Sequence, residues 1–277
     1  MKRYTVYVLC ALCLLCIVIL LTLKYRSCYE SFDTKTYNIH LVVFSSSNYM
    51  NTLKRIEKEA EESKFFDFIH TFTEKDIADY MKQHEAFVSA NKRGYGYWIW
   101  KPYCISRVFN KINEGDILVY LDAGSSINAD GYKTFQDYVT ACRNSEHKNV
   151  SFQYNQNIEE DWTKNDIFEE IGTTEQDKKS GQIWAGLWIL EKSPTTKHLV
   201  DKWLEKMQNY HLIDDSPSKT PNVPSFRENR HDQSIFSCIL KKYGTHTMVN
   251  KLDLDGGLDK YKDTAKDLPF WATRLKY

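Results

Sequence analysis

Asp116-Ile117-Leu118-Val119-Tyr120-Leu121-Asp122-Ala123-Gly124 is the stretch that decides the fold of this chain. Glu114-Gly115 turns the backbone into it, and the apolar run ends abruptly on Asp122. A short, continuous apolar run bounded by turn residues predicts a strand buried on both faces. Strands of that kind belong to sheets covered by helices on either side. In open parallel sheets the ligand binds beyond the carboxyl ends of the strands. Asp122 is therefore the first candidate functional residue. The plain alternative is a turn that ends the strand, because Asp and Gly favour turns generally.

On the N-terminal side, Ile39 to Phe44 (IHLVVF) reads as a buried first strand that stops at Ser45-Ser46-Ser47. Asn51 to Glu62 is helical in composition, Phe65 to Phe72 reads as a second strand, and Asp76 to Asn91 as a further helix. Pro102 is expected to open the next helix at its first position, running to about Ile112. Beyond Gly124, Gly131 to Ala141 reads as helix and Val150 to Tyr154 as strand. Gln182 to Leu190 (QIWAGLWIL) is strand-like but interrupted at Ala185-Gly186, and Ser193 caps a helix to about Met207. His211 to Asn229 reads as a proline-bearing loop, followed by a helix from Asp232 to Tyr243. Strands alternating with helices predict a mostly parallel sheet flanked by helices.

The N-terminus differs in kind. Tyr4 to Leu23 is twenty residues without a charge, and at 1.5 Å per residue that is roughly the 30 Å of a bilayer's hydrocarbon core. A signal peptide has a shorter apolar region, about 7–15 residues, ending at a small-residue cleavage site. The chain therefore divides into a cytoplasmic tip and transmembrane anchor (1–23), a short polar stem (24–37) and a catalytic domain (38–277). The α-amino group, Lys2 and Arg3 precede the span and Lys24 and Arg26 follow it. That bias favours a cytoplasmic N-terminus, a single-pass type II protein. Lys plus Arg equals Asp plus Glu at 37 each, so the charge balance points away from nucleic acid. The seven cysteines include no CxxC pair, which argues against metal ligation by thiolates. Asn149-Val150-Ser151 is a glycosylation sequon, but it opens an expected strand.

YLDAG after a buried strand, preceded by a helix and by the run Arg93-Gly94-Tyr95-Gly96-Tyr97-Trp98-Ile99-Trp100-Lys101-Pro102, resembles nucleotide-sugar glycosyltransferases of the GT-A fold. The pattern spans residues 38 to about 250. It implies an α/β, Rossmann-related domain behind one N-terminal transmembrane helix, in a Golgi or other secretory-pathway membrane. In that family a strand ends in Asp-x-Asp, whose carboxylates hold a divalent ion on the donor diphosphate. Asp122 matches the first carboxylate, but Gly124 stands in the second position. The implied Mn²⁺ or Mg²⁺ would then rest on one carboxylate, phosphates and water. Without an ion, Lys101 and Arg93 would neutralise the phosphates.

Related enzymes seat the nucleotide where Ser45 to Ser47 end the first strand. The resemblance thus assigns Ser45, Arg93, Lys101, Asp122 and Gly124 to the donor. Trp184-Ala185-Gly186-Leu187-Trp188 looks like the segment that lines the donor-sugar and acceptor pocket, with Gly186 letting backbone approach the substrate. Glu228 to Gln233 (ENRHDQ) is similar to an acidic motif opposite the donor. It implies Asp232 as general base if configuration inverts, or as a positioning group if it is retained, with His231 beside it in the pocket. A simple helix cap is the alternative for Asp232. Asp253-Leu254-Asp255 reads as a turn in an Asp/Gly-rich loop, with a late metal contact as its alternative.

The implied partners are a nucleotide-sugar donor, a glycan, glycoprotein or glycolipid acceptor, and the membrane. Two rival functions share some of these features. A haloacid-dehalogenase-like phosphatase also puts an Asp after an apolar strand, but it wants a second acid two positions on. A membrane-anchored carbohydrate-binding protein would explain the aromatic content of 14% but not the charged residues at strand and helix ends.

Overall fold

The computed structural model describes residues 36–253 and 258–276. Contacts divide the chain into Met1–Tyr37 and Asn38–Tyr277. The anchor expected at 4–23 and the stem, apart from Thr36 and Tyr37, lie outside the described residues. Among the described residues no helix is long and apolar enough to cross a membrane.

The apolar run at Ile39–Phe44 forms strand β1, every residue of it buried. Helix α1 (Met50–Ser63) crosses over from it to β2 (Phe68–Phe72), which pairs parallel with β1. Two short helices, Ala78–Gln83 and Glu85–Ala90, stand where one was expected. Helix α2 (Lys101–Phe109) has Lys101 as its first residue and Pro102 as its second, one place later than expected. Strand β3 (Ile117–Leu121) then lies parallel to β1 on the side away from β2, fully buried. Strand β4 (Ser126–Ile127), helix α3 (Tyr132–Asn144) and the long β5 (Asn149–Ile158) follow.

The sheet is mixed rather than mostly parallel as the sequence predicted. Strands β6 (Gly181–Ile183) and β7 (Leu187–Glu191) run antiparallel to β5, and β7 also runs antiparallel to β3. The last strand of the sheet, β8 (His246–Val249), is parallel to β5. The sheet is mixed because alternation of strands with helices does not record direction. A helix between two strands permits a crossover but equally permits a return. The return has a functional consequence. Antiparallel pairing sets Leu187 opposite Leu121, so Trp184-Ala185-Gly186 arrives at the edge where β1 and β3 end.

Helix α4 (Pro194–Met207) starts as its sequence predicts. The Ser193 hydroxyl accepts from the Thr196 N–H at 3.2 Å, and the Thr196 hydroxyl accepts from the Ser193 N–H at 3.1 Å. That reciprocal box satisfies two donors that a helix start leaves orphaned. Trp203 of α4, Trp188 of β7 and Phe236 of α5 (Asp232–Tyr243) pack edge-on or tilted within one buried cluster. Burying each such side chain contributes about 1.5–3 kcal/mol. Strand β9 (Phe270–Trp271) brings the chain back to pair with β4, Ser126 opposite Trp271. The tail beyond it docks on Gly124, whose carbonyl accepts from the Leu275 N–H at 2.9 Å and the Thr273 hydroxyl at 3.1 Å.

Candidate active site

A cleft of about 480 Å³ opens at the carboxyl ends of β1 and β3. One wall is the end of β1 and the turn after it, with Ser45, Ser46, Asn48 and Tyr49. Asp122 to Ser125 forms the floor, and Trp98, Trp100 and Trp184 supply aromatic surface. The cations Lys92, Arg274 and Lys276 and the acids Asp122 and Asp253 complete the lining. No other carboxylate lines it among the described residues.

Beneath the floor sits a buried ion triad. The Lys101 ammonium is 2.6 Å from Asp232 Oδ2 and 3.2 Å from Asp122 Oδ1. It also donates to the Ala185 carbonyl at 3.3 Å. The Tyr120 hydroxyl donates to the same Asp122 oxygen at 2.7 Å. Lys101 and Asp232 side chains are 3% and 6% exposed, whereas Asp122 is 36% exposed and is the member that reaches the cleft. Burial pulls the Lys101 pKa down, but the charges of Asp122 and Asp232 outweigh it and the net direction is up. Burial pushes Asp232 up to about 6, against the downward pull of Lys101, and the Asp122 charge adds to the rise. One cation between two carboxylates in a low-dielectric setting resists any change of partner. Asp122 is thereby fixed from behind.

The segment that delivers Lys101 is backbone-strained. Gly94, Tyr95, Gly96, Tyr97 and Trp98 all have positive φ, from 51° to 85°. A left-handed turn costs roughly 1–2 kcal/mol for each residue with a side chain, so it persists only where its surroundings dictate it. Here they do. The Trp100 indole N–H donates to the Gly94 carbonyl at 3.0 Å, and the Tyr97 hydroxyl donates to Asp215 at 2.6 Å. The Tyr97 ring stacks on His231 at 4.2 Å. Glycine is required at 94, where a Cβ would lie 2.4 Å from the Trp98 ring.

The residues expected from the sequence fall into three groups. Ser45, Asp122, Gly124 and Trp184 line the cleft. Lys101, Asp232 and the Ala185 carbonyl form the buried support beneath it. Arg93, His231 and Trp188 do neither. Arg93 is half-exposed and lies 3.7 Å from Glu228, and its neighbour Lys92 faces the cleft instead. His231 is buried, its Nδ1 paired with the Ile213 carbonyl at 2.7 Å. Trp188 is a core residue, donating to Asn149 at 3.2 Å. That contact and full burial of Asn149 also make the sequon a structural residue. Gly186 also seats the Trp184 indole, because a Cβ there would lie 2.3 Å from the ring.

The carboxylates of the cleft are largely engaged by protein partners. Asp122 Oδ1 is already committed to Tyr120 and Lys101, and Gly124 offers no side chain. Asp253 faces the cleft, but both its oxygens take the Arg274 guanidinium at 2.8 Å and one also takes the Tyr154 hydroxyl at 2.6 Å. Among the described residues no group of three or more His, Cys, Asp or Glu gathers to hold a metal. Asp122 Oδ2 is the one carboxylate oxygen of the cleft left uncommitted, so the described residues there offer an ion a single ligand atom. The literal Asp-x-Asp at Asp253 and Asp255 is only half described, Asp255 lying outside the described residues.

Comparison with known proteins adds a loose likeness of fold. No protein-family model matches the sequence, and no curated protein matches it. Among solved structures, the chain is similar to the galactosyltransferase LgtC in complex with donor and acceptor sugar analogues. That match has 15% identity and a TM-score of 0.44 over 82% of this chain and 78% of that one. It is also similar to a glycosyltransferase involved in glycosylating the major capsid of PBCV-1, at 12% identity and a TM-score of 0.45, over 84% and 91% of the two chains. Mouse xyloside xylosyltransferase 1 matches at 12% identity and a TM-score of 0.43, over 84% and 97%. These neighbours are glycosyltransferases, but scores below 0.5 leave the functional reading to rest on the site's own geometry.

Proposed function

We propose that this chain is a glycosyltransferase moving a sugar from a nucleotide-sugar donor to a hydroxyl of a glycan, glycoprotein or glycolipid acceptor. The observation that carries the reading is the cleft at the sheet edge, with Asp122 held from behind by Lys101 and faced by indole rings and cations. Flat aromatic faces suit the C–H faces of a sugar, and cations suit a diphosphate. The Ser45 to Tyr49 wall takes the nucleotide. Asp122 meets the donor at the reacting end, where a preorganised carboxylate interacts with developing charge without reorganising. Asp232 is a positioning residue that acts on Asp122 through Lys101. A phosphatase is disfavoured because its nucleophilic Asp needs a second acid two positions on, and Gly124 supplies none.

The test is release of nucleoside diphosphate by the full chain in detergent, across a panel of nucleotide sugars, with and without acceptors. At least one donor is expected to turn over. Asp122→Asn should lower turnover by roughly 10²–10³, the usual loss when one focused electrostatic group is removed. Turnover of no donor, or an Asp122→Asn variant with unchanged turnover, overturns the reading. We further propose that residues 4–23 anchor the protein as a type II membrane protein of the Golgi or another secretory-pathway membrane, a reading that rests on the uncharged run alone.

A further inference from the structure

We propose that the C-terminal tail, through Arg274 and Lys276 together with Lys92, binds the donor's diphosphate directly, so that donor binding needs no divalent ion. The inference rests on the glycosyltransferase reading only for the identity of the ligand. The site itself is an anion site built by a strand pairing. Pairing of β9 with β4 carries the chain to Gly124, and the Leu275 N–H and Thr273 hydroxyl fasten it there. Arg274 sits between these two anchors with φ of 55°, and its guanidinium faces the cleft. Where a second carboxylate would project from position 124, the nearest atom is the Arg274 Cα, at 3.5 Å from an ideal Cβ. The tail therefore stands where the missing acid would act.

The charge balance of the cleft agrees. Asp122 shares Lys101 with Asp232, and Asp253 is answered by Arg274, one terminal nitrogen of which donates to both its oxygens. Lys92 and Lys276 line the same cleft with no carboxylate partner among the described residues. Arg274 is two-thirds exposed, so an arriving phosphate can reach it. A guanidinium takes phosphate oxygens in the same forked geometry it uses for a carboxylate. Binding then exchanges Asp253 for the diphosphate, and the Tyr154 hydroxyl keeps Asp253 hydrogen-bonded when Arg274 leaves.

The test is calorimetry on the full chain in detergent, using inorganic pyrophosphate and a panel of nucleoside diphosphates, first in EDTA and then with Mn²⁺ or Mg²⁺. Binding in EDTA is expected within a few-fold of binding with the ion. Arg274→Ala and Lys276→Ala should each weaken it roughly ten- to a hundredfold, the range for a hydrogen bond to a charged group. Lys276 is exposed and anchors nothing, so its variant tests the site even if Arg274→Ala disturbs the tail. Asp122→Asn supplies a difference of sign. It should leave diphosphate binding equal or tighter, because one repelling charge is gone, whereas a metal held by Asp122 would make the same change weaken it. Binding only with Mn²⁺ or Mg²⁺, or binding in EDTA that both tail variants leave unchanged, overturns the proposal while the enzymatic reading stands. No binding of any probe under either condition overturns both.

Discussion

Replacing Lys101 by methionine removes the cation from the buried triad while keeping an unbranched chain of similar length. The wild-type ammonium lies 2.6 Å from Asp232 and 3.2 Å from Asp122. Without it the Asp232 carboxylate, 6% exposed, keeps the Gln233 backbone N–H but faces the like charge of Asp122 with no cation. Breaking a buried pair by deleting one partner costs about 3–5 kcal/mol. For a domain of this size that corresponds to a fall in melting temperature of roughly 6–20 °C. The loss should also depend on pH. The folded pKa of Asp232 is raised from an ordinary 3.8 to about 6 by burial, against the pull of Lys101. The folded protein therefore holds that proton more tightly than the unfolded chain does. This contribution is full below about pH 4 and is lost as pH rises through about 6. Removing Lys101 removes the downward pull, so in the variant the decline continues to higher pH. Thermal melts of the two proteins at pH 5 and pH 8 should show a deficit that is larger at pH 8. A double variant, Lys101→Met with Asp232→Leu, should recover much of it. Equal melting temperatures for wild type and single variant, or a deficit identical at both pH values, would refute the account of the triad.

Other substitutions test neighbouring parts of the argument. Gly186→Ala puts a methyl 2.3 Å from the Trp184 indole, and the displaced ring should cost about 1–3 kcal/mol, seen as an earlier melt together with weaker donor binding. Gly94→Ala adds a clash at 2.4 Å with Trp98 to an unfavourable positive φ, so the variant should melt earlier and lose activity because the turn delivers Lys101. Ser193→Ala breaks the capping box of α4 and should cost about 1 kcal/mol, with turnover unchanged at low temperature. If residues 4–23 span a bilayer, the full chain stays with membranes after alkaline carbonate extraction, and a mature chain beginning after the apolar run would refute the anchor.

The parts of the fold legible in the sequence are those written in local chemistry. The apolar runs at Ile39–Phe44 and Ile117–Leu121 form strands at their expected positions, and Ser193 caps its helix. Strand direction is not local, so the antiparallel return of β7 could not be read from alternation. The same return decides which tryptophan meets the cleft. Trp184 lies on the interruption and Trp188 inside the strand, where it packs against α4 and α5. Lys101 was legible as a candidate but not as a buried one. A signal existed: a lysine at the first position of a helix opposes the helix dipole, and burying it there requires nearby carboxylates. Asp122 and Asp232 are those carboxylates, although they lie far apart along the chain. Arg274 and Lys276 carry no motif and become cleft residues only through the β4–β9 pairing.

The distribution of indole rings gives this molecule two separate optical reporters. Trp98, Trp100 and Trp184 line the cleft, so a ligand entering it changes the polarity and quenching around them. Trp188 and Trp203 are sealed in the core, each 1% exposed, and their emission should shift red only when the domain opens. A soluble quencher should therefore reach Trp98 and the partly exposed Trp162 first, Trp100 and Trp184 being only 5% and 8% exposed, and should spare Trp188 and Trp203. Ligand titrations followed by emission, with acrylamide present and Trp162 replaced by Phe, would read occupancy of the cleft through Trp98 without any label.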